Sequence, residues 1–286
     1  MEQKGTLYLC ATPIGNLEDI TLRALRVLRE VDLIAAEDTR HTRKLLSRYD
    51  IHTPLTSYHE HNRQKKGGYL LDLLASGKQI ALVTDAGMPG VSDPGTELVV
   101  SALKNNLKVV PVPGPSAGIT ALVVSGLPAG AFAFEGFLPA ARKARRDKLA
   151  ALSREPRTLI FYEAPHRLTA TLADLQEVFG NRLMAAAREL TKQHEEVVRG
   201  TVAEVLEHFR GKEPRGEFCL VLAGAAGELL ETAEKTEVSL EPAEHVARLE
   251  AEGAGRKEAI RAVARAHGLP RREVYRAVVL KKQKSN

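Results

Sequence analysis

The chain has 286 residues, 44% of them hydrophobic and 27% charged, with a formal net charge of +5. That length supports two modest domains and a small appendage, each with its own core. No apolar run approaches the ~18 residues that a membrane-spanning helix requires, so a soluble globular protein without membrane contact is expected. The first strand-like segment begins almost at residue 1, with no basic region, apolar stretch and small-residue cleavage site ahead of it, which predicts a cytoplasmic location.

In chain order, TLYLCAT (6–12) reads as a strand and PIGN as a turn. A helix follows from about Asp19 to Val31, with Ile20, Ala24, Val27 and Val31 on one face. LIAAED (33–38) is a second strand, and another helix starts near Thr39, with Asp38 or Thr39 placed to cap it. A polar connection then leads to a helix through roughly 61–75, strand IALVTD (80–85), a Gly/Pro-rich loop, a helix near 95–104 and strand KVVPVP (108–113). Strands alternating with helices predict a largely parallel sheet, on which ligands bind outside the carboxyl ends of the strands.

After a helix from Ser116 to about Ser125 the pattern changes. FAFEGFL (132–138), TLIFYEA (158–164), LMAAAREL (183–190), EEVVRGTV (195–202) and EFCLVLAG (217–224) are strand-like, and two of them are joined by only a few residues, as antiparallel neighbours would be. The expected organisation is an α/β domain over 1–114, a second α/β domain over 115–224, an acidic linker over 225–241 and a basic helical domain over 242–286. In the last of these, two helices split by HGLP (267–270) have a helix-turn-helix pattern. Residues 256–286 carry ten Lys/Arg against Glu258 and Glu273, on a body that is slightly acidic. A basic tail of this kind points to a polyanionic partner such as nucleic acid. Cys10 and Cys219, inside apolar strands, read as buried unpaired thiols.

Seven prolines (Pro13, Pro89, Pro94, Pro111, Pro113, Pro115 and Pro165) fall within or just after four of the strands, in company with glycines. Proline fixes φ and glycine admits close approach, so together they make stiff pocket walls. There is no G-x-x-x-x-G-K-[ST], and the first strand runs into TPIGN instead of G-x-G-x-x-G, so phosphate-cradle and ordinary dinucleotide fingerprints are missing.

Eight blocks carry a likeness: TPIGNLEDIT (12–21), AAEDTRHT (35–42), SYHEHN (57–62), VTDAGMPGVSDPG (83–95), PVPGPSA (111–117), FEGFLP (134–139), YEAPHR (162–167) and ARELTKQHEE (187–196). In this order they closely resemble the ribosomal RNA small-subunit methyltransferase I group of the tetrapyrrole methylase superfamily, the class III S-adenosylmethionine-dependent methyltransferases. The resemblance implies two α/β domains with the cofactor in the cleft between them and a homodimer. It further implies 2′-O-methylation of a cytidine ribose in the decoding region of 16S rRNA, with the small ribosomal subunit as partner. It assigns Asp85, Ala86, Gly87, Met88 and Val91 to one cofactor wall and Ser116 and Ala117 to another. Phe161 or Tyr162, with Leu190, would come from the second domain, and Pro13 would line the acceptor side.

Methyl transfer is an in-line displacement in which alignment supplies much of the rate, and a base near the acceptor hydroxyl adds to it. His59, Glu60 and His61 in SYHEHN are candidate bases. Glu37, Asp38, Arg40 and Lys192 are candidate orienting or electrostatic groups. H-x-H without a third ligand at a recognisable spacing argues against a metal. Glu37–Arg40 and Arg188–Glu189 read equally as structural ion pairs. Arg142, Lys143, Arg145, Arg146 and Lys148 suit either a solvated helix face or a track for RNA backbone. Two other functions fit parts of the pattern. One is a sister methylase acting on a tetrapyrrole or on the diphthine precursor of a translation factor; the other is a metabolite-sensing, nucleic-acid-binding regulator.

Overall fold

The computed structural model describes residues 4–93, 95–225, 241–251, 254–267 and 269–284, with the backbone alone at 265, 266 and 280–284. Pro94 and most of the expected linker lie outside the described residues, as do the side chains of Arg265, Lys281, Lys282 and Lys284. The chain divides into two compact units, Met1–Ala223 and Gly224–Asn286.

The larger unit holds two five-stranded sheets. The first comprises β1 (Thr6–Cys10), β2 (Leu33–Ala36), β3 (Leu55–Ser57), β4 (Ile80–Val83) and β5 (Lys108–Val112), all parallel, in the order β3-β2-β4-β1-β5. Its central strands are apolar at successive positions because both faces are covered. Cys10, Ile34, Ala36, Ala81 and Val83 face α1 (Leu22–Glu30) and α2 (Thr39–Arg48). Leu7, Ala35, Ile80 and Leu82 face α3 (Arg63–Ala75) and α4 (Thr96–Lys104). The first helical segment differs from the continuous 19–31 helix expected. A 3₁₀ turn, Leu17–Asp19, is capped by the Asn16 side chain, and Thr21 then caps α1 by accepting from Ala24 N at 3.1 Å. Strand β3 occupies what read as a polar connection; three half-buried residues at a sheet edge leave too short an alternation to recognise.

The second sheet comprises β6 (Phe132–Phe137), β7 (Thr158–Glu163), β8 (Leu183–Arg188), β9 (Glu196–Thr201) and β10 (Phe218–Leu222), in the order β6-β7-β10-β8-β9. Only β6 and β7 run parallel; β8 and β9 form the expected antiparallel pair. Helix α5 (Ala117–Ser125) packs on one face through Ala121 and Leu122 against Ile160, Ala187, Cys219 and Val221. The other face carries α6 (Arg142–Ala151), α7 (Leu168–Phe179) and α8 (Val202–Phe209) against Leu159, Phe161, Ala186 and Leu220. The expected boundary at 114/115 falls between β5 and α5. Cys10 and Cys219 are buried free thiols, and burial pushes both up to about 12.

The basic residues of α6, which read either as a solvated helix face or as a track for RNA backbone, mostly meet acidic partners. Arg145 is buried and meets Asp174 of α7 at 2.6 Å, Arg142 reaches the same carboxylate at 3.4 Å, Arg146 pairs with Glu177, and Lys148 reaches Glu135 at 2.5 Å. Their periodicity on one helix puts them over acidic partners that lie far away in the sequence.

The smaller unit contains α9 (Pro242–Ala251), α10 (Arg256–Ala266) and α11 (Arg271–Lys284) around Val246, Ile260, Val263, Val274 and Val278. His245 Nδ1 lies 3.1 Å from His267 Nε2, tying α9 to the end of α10. Lys257, Arg261, Arg271, Arg272 and Arg276 are exposed. No helix among the described residues is long and apolar enough to cross a membrane.

Candidate functional site

Strands β1 and β4 are neighbours, yet the chain leaves β1 for α1 on one face of the sheet and leaves β4 for α4 on the other. Divergent connections open a crevice at the carboxyl ends of the two strands. The two loops are held together across it: Thr12 and Gly87 exchange backbone hydrogen bonds of 2.9 and 3.1 Å, and Thr12 Oγ1 donates to Thr84 O at 3.0 Å. Gly87 has φ +83°, a conformation that a side chain would strain.

A cavity of about 430 Å³ lies at this crevice, between the carboxyl ends of the first sheet and one face of the second. The loop after β4 supplies Thr84, Asp85, Ala86, Gly87, Met88, Val91, Ser92 and Asp93; Ile14 follows β1, Glu37 follows β2, and Ser116 and Ala117 begin α5. The second sheet contributes Phe137, Tyr162, Glu163, Ala187, Leu190, Lys192, Glu217 and Cys219, among others. Nine of the eleven expected cofactor residues therefore face one cavity: Asp85, Ala86, Gly87, Met88, Val91, Ser116, Ala117, Tyr162 and Leu190. Pro13 is buried behind the wall, and Phe161 does not line it. Side chains alternate along β7, so Tyr162 turns to the cavity while Phe161 turns to α7 and α8. The Tyr162 hydroxyl accepts from Gly118 N at 3.2 Å, and burial foremost pushes it up to about 12.

Of the candidate bases and orienting groups, Glu37 and Lys192 line the cavity; His59, Glu60, His61, Asp38 and Arg40 do not. The SYHEHN segment begins at Ser57, the last residue of β3 at the sheet edge, and beyond the strand His59 Nε2 meets Asn62 Nδ2 at 3.1 Å. Asp38 caps α2 by accepting from Arg40 N at 2.7 Å, and the exposed Arg40 side chain pairs with Asp38, not with Glu37. That guanidinium and amide hold the Asp38 carboxyl down at about 2. Arg188 likewise reaches Glu196 at 3.4 Å instead of its neighbour Glu189. Lys192 is clamped by Glu189 and Glu217, each at 2.9 Å; burial disfavours its charge, but the two carboxylates outweigh burial and raise its pKa.

The electrostatics follow from crowded acids. The Thr84 hydroxyl donates to Glu37 Oε2 at 2.6 Å, and Asp85 Oδ1 accepts from Asp38 N at 3.1 Å. Burial and the neighbouring Glu37 push the Asp85 carboxyl upward against that amide. Burial, Glu37 and Asp85 push Asp93 further, to about 6. Asp93, Glu163, Glu217, Ile14 and Phe137 were not singled out from the sequence as site residues. Asp93, Ile14, Phe137 and Glu163 stand within quoted blocks, which could have pointed to them, whereas Glu217 lies outside every block and its only signal is its place in three dimensions.

The donor set suits a ligand with positive charge, hydroxyls and an apolar ring. A phosphate would face three carboxylates and a lysine already neutralised. S-adenosylmethionine fits that description: Glu37, Asp85 and Asp93 offer acceptors for its cationic and hydroxyl groups, and Ile14, Met88, Leu190 and Phe137 offer apolar wall. Among the described residues no group of three His, Cys, Asp or Glu side chains is arranged to hold a metal ion.

Known proteins agree with this architecture. The profile of the Tetrapyrrole (Corrin/Porphyrin) Methylases matches residues 6–206. "Ribosomal RNA small subunit methyltransferase I" of Halalkalibacterium halodurans is 53% identical over 274 residues, covering 96% of this chain and 94% of that one. The protein of the same name from Bacillus subtilis is 48% identical over 277 residues, covering 97% and 95%. Among solved structures, uroporphyrin-III-C-methyltransferase from Thermus thermophilus superposes with a TM-score of 0.54 at 23% identity, covering 80% of this chain and 98% of that one; this likeness speaks for the fold alone.

Proposed function

The chain belongs to the tetrapyrrole methylase family, and from that premise we propose that it transfers a methyl group from S-adenosylmethionine to the ribose 2′ oxygen of a cytidine in the decoding region of 16S rRNA. The observation that carries this reading is the likeness to small-subunit rRNA methyltransferases over nearly the whole chain, the basic C-terminal unit included. An acidic, partly apolar cavity without a phosphate cradle supports the donor. An rRNA acceptor implies a cytoplasmic protein. The homodimer belongs to the same reading, and exposed Leu22, Ile119 and Val123 supply apolar surface for it.

When bound, S-adenosylmethionine supplies an electrophilic methyl group on a positively charged sulfur. The chain's part is to position that group. The Thr12–Gly87 bridge fixes the loop after β4, Asp85 and Glu37 present acceptors held by Asp38 N and Thr84 Oγ1, and Tyr162 pins the start of α5. A second anchor spans the two sheets: Asn16 N donates to Thr191 Oγ1 at 2.9 Å, and a side chain on Gly15 would come within 2.5 Å of Lys192 Cγ. Walls braced in this way hold the reacting atoms in line, where alignment lowers the barrier most.

The test is equilibrium binding of S-adenosylmethionine followed by tritium transfer into small ribosomal subunits, with the modified ribose mapped by mass spectrometry. Transfer to a small molecule or a protein alone would favour the sister methylase; binding without transfer would favour the regulator. Gly87→Val is expected to weaken donor binding at least ~10-fold while leaving affinity for the small subunit unchanged. An unchanged donor Kd would remove the assigned site.

A further inference from the structure

Two helices of the larger unit carry dense runs of basic residues, and the fold treats them differently. The cations of α6 mostly meet acids. Those of α2, TRHTRKLLSR, do not. Thr42, Leu45 and Leu46 turn inward, which leaves Arg40, His41, Arg43, Lys44 and Arg48 on the exposed side. Arg40 reaches Asp38 at 3.0 Å, whereas among the described residues Arg43, Lys44 and Arg48 have no acidic partner. Helix stability does not call for this pattern. Arg40, Lys44 and Arg48 recur at every fourth position with Arg43 beside them, so like charges repel along one side, and no acid stands within the helix to offset them. Arg40 and His41 occupy the first turn, where the helix dipole disfavours cations.

The position of α2 ties it to the cavity. Glu37, which lines the cavity, stands two residues before the helix begins, and Asp38 N between them donates to Asp85 Oδ1 at 3.1 Å. His41 is among the groups that act on the Asp85 carboxyl, so the first turn of α2 stands at the cavity rim. From Arg40 to Arg48 the exposed face then runs outward for about 12 Å. Its chemistry selects its partner. Leu45 and Leu46 are committed to the core, and none of the exposed large apolar side chains lies on α2. The face therefore lacks the apolar anchors that centre a protein interface, and it has no apolar side to sink into a lipid surface. It presents guanidinium forks and an ammonium, which donate and cannot accept, and a run of phosphates supplies both the acceptors and the opposite charge.

We propose that the exposed face of α2 binds the sugar–phosphate backbone of the RNA acceptor beside the donor cavity, through Arg43, Lys44 and Arg48. Contacts of this kind carry no base information; they fix where a strand lies and in which direction it runs. Each phosphate neutralised also releases counterion, so the three side chains contribute to affinity in a way that salt exposes.

This inference rests on the function proposed above, and its experiment separates the two. In the full chain, the triple variant Arg43→Gln, Lys44→Gln, Arg48→Gln should bind small ribosomal subunits at least ~10-fold more weakly in filter binding, and the slope of log affinity against log salt should shrink by about 2. Its S-adenosylmethionine Kd should change less than about twofold. Arg43→Lys, Lys44→Arg, Arg48→Lys, which keeps the charges, should retain the slope. Lys104→Gln with Lys108→Gln removes exposed cations near the start of β5, at the opposite edge of the first sheet, and should leave affinity within about twofold. In the wild-type chain, bound subunits should protect Lys44 from acetylation, read by mass spectrometry, and leave Lys104 reactive. An unchanged slope in the triple variant, an equal loss in the Lys104/Lys108 variant, or an unprotected Lys44 overturns the assignment. So does a triple variant whose oligomeric state changes in sedimentation, which would give the face to a second copy of the chain. If the slope and the protection behave as expected but the wild-type chain transfers no methyl group to small-subunit RNA, the proposed function falls and the RNA-binding face stands.

Discussion

Asp93 is where side-chain chemistry and folding free energy meet. Its carboxyl sits at about 6 in the folded chain and at 3.8 when unfolded, because burial and the carboxylates of Glu37 and Asp85 oppose its charge. Between those values the folded state binds the extra proton, so this group's cost to stability is absent below about pH 4 and fully present above about pH 6. Asp93→Asn should therefore raise the unfolding free energy at pH 7.5 by on the order of 1–2 kcal/mol, after allowing for solvent screening at the cavity wall. Urea denaturation of wild type and variant should converge as the pH falls toward 4. Parallel curves would mean that the site does not disfavour the charge. Tyr162 and Phe161 make a related point at the same scale. The family resemblance implies either as a wall of the site, and the pleat of β7 gives that place to Tyr162.

Helices α6 and α7 show what elements do with charge. Arg145 and Asp174 are each almost wholly excluded from water and meet at 2.6 Å, with Arg142 reaching over the same carboxylate. Removing one partner of such a pair strands the other, a loss of about 3–5 kcal/mol. Asp174→Ala should therefore lower stability by that amount in urea denaturation, whereas Lys143→Ala on the exposed side of α6 should change it by less than about 0.5 kcal/mol. Equal effects would show that the pair is solvated. The basic stripe RKARRDK was legible, but its meaning was not, since the acids that neutralise it stand in β6 and α7, and nothing in local spacing reveals them. Strand β3 escaped for the opposite reason, having too few residues to show a period.

At the scale of the molecule, charge is segregated between the two compact units. The C-terminal helices keep Val246, Val263 and Val274 inside and Lys257, Arg261, Arg271, Arg272 and Arg276 outside, as a surface that releases counterions from RNA would be built. Deleting residues 242–286 should weaken binding to small ribosomal subunits and flatten its dependence on salt, while donor affinity stays the same. Filter binding across a salt series measures both, and equal slopes would make the unit structural. The alternation of strands and helices, the antiparallel return in the second half, the acidic body with its basic tail and the loop that lines the cavity were all legible in the residues alone, because hydrophobic period, turn residues and composition are local properties. That Glu37, Asp85 and Asp93 crowd one another, that Lys192 is held by Glu189 and Glu217, and that the SYHEHN histidines do not line the cavity became visible in the folded chain. Those outcomes depend on strand order and on which face each residue meets, and both are fixed by packing between segments remote in the chain.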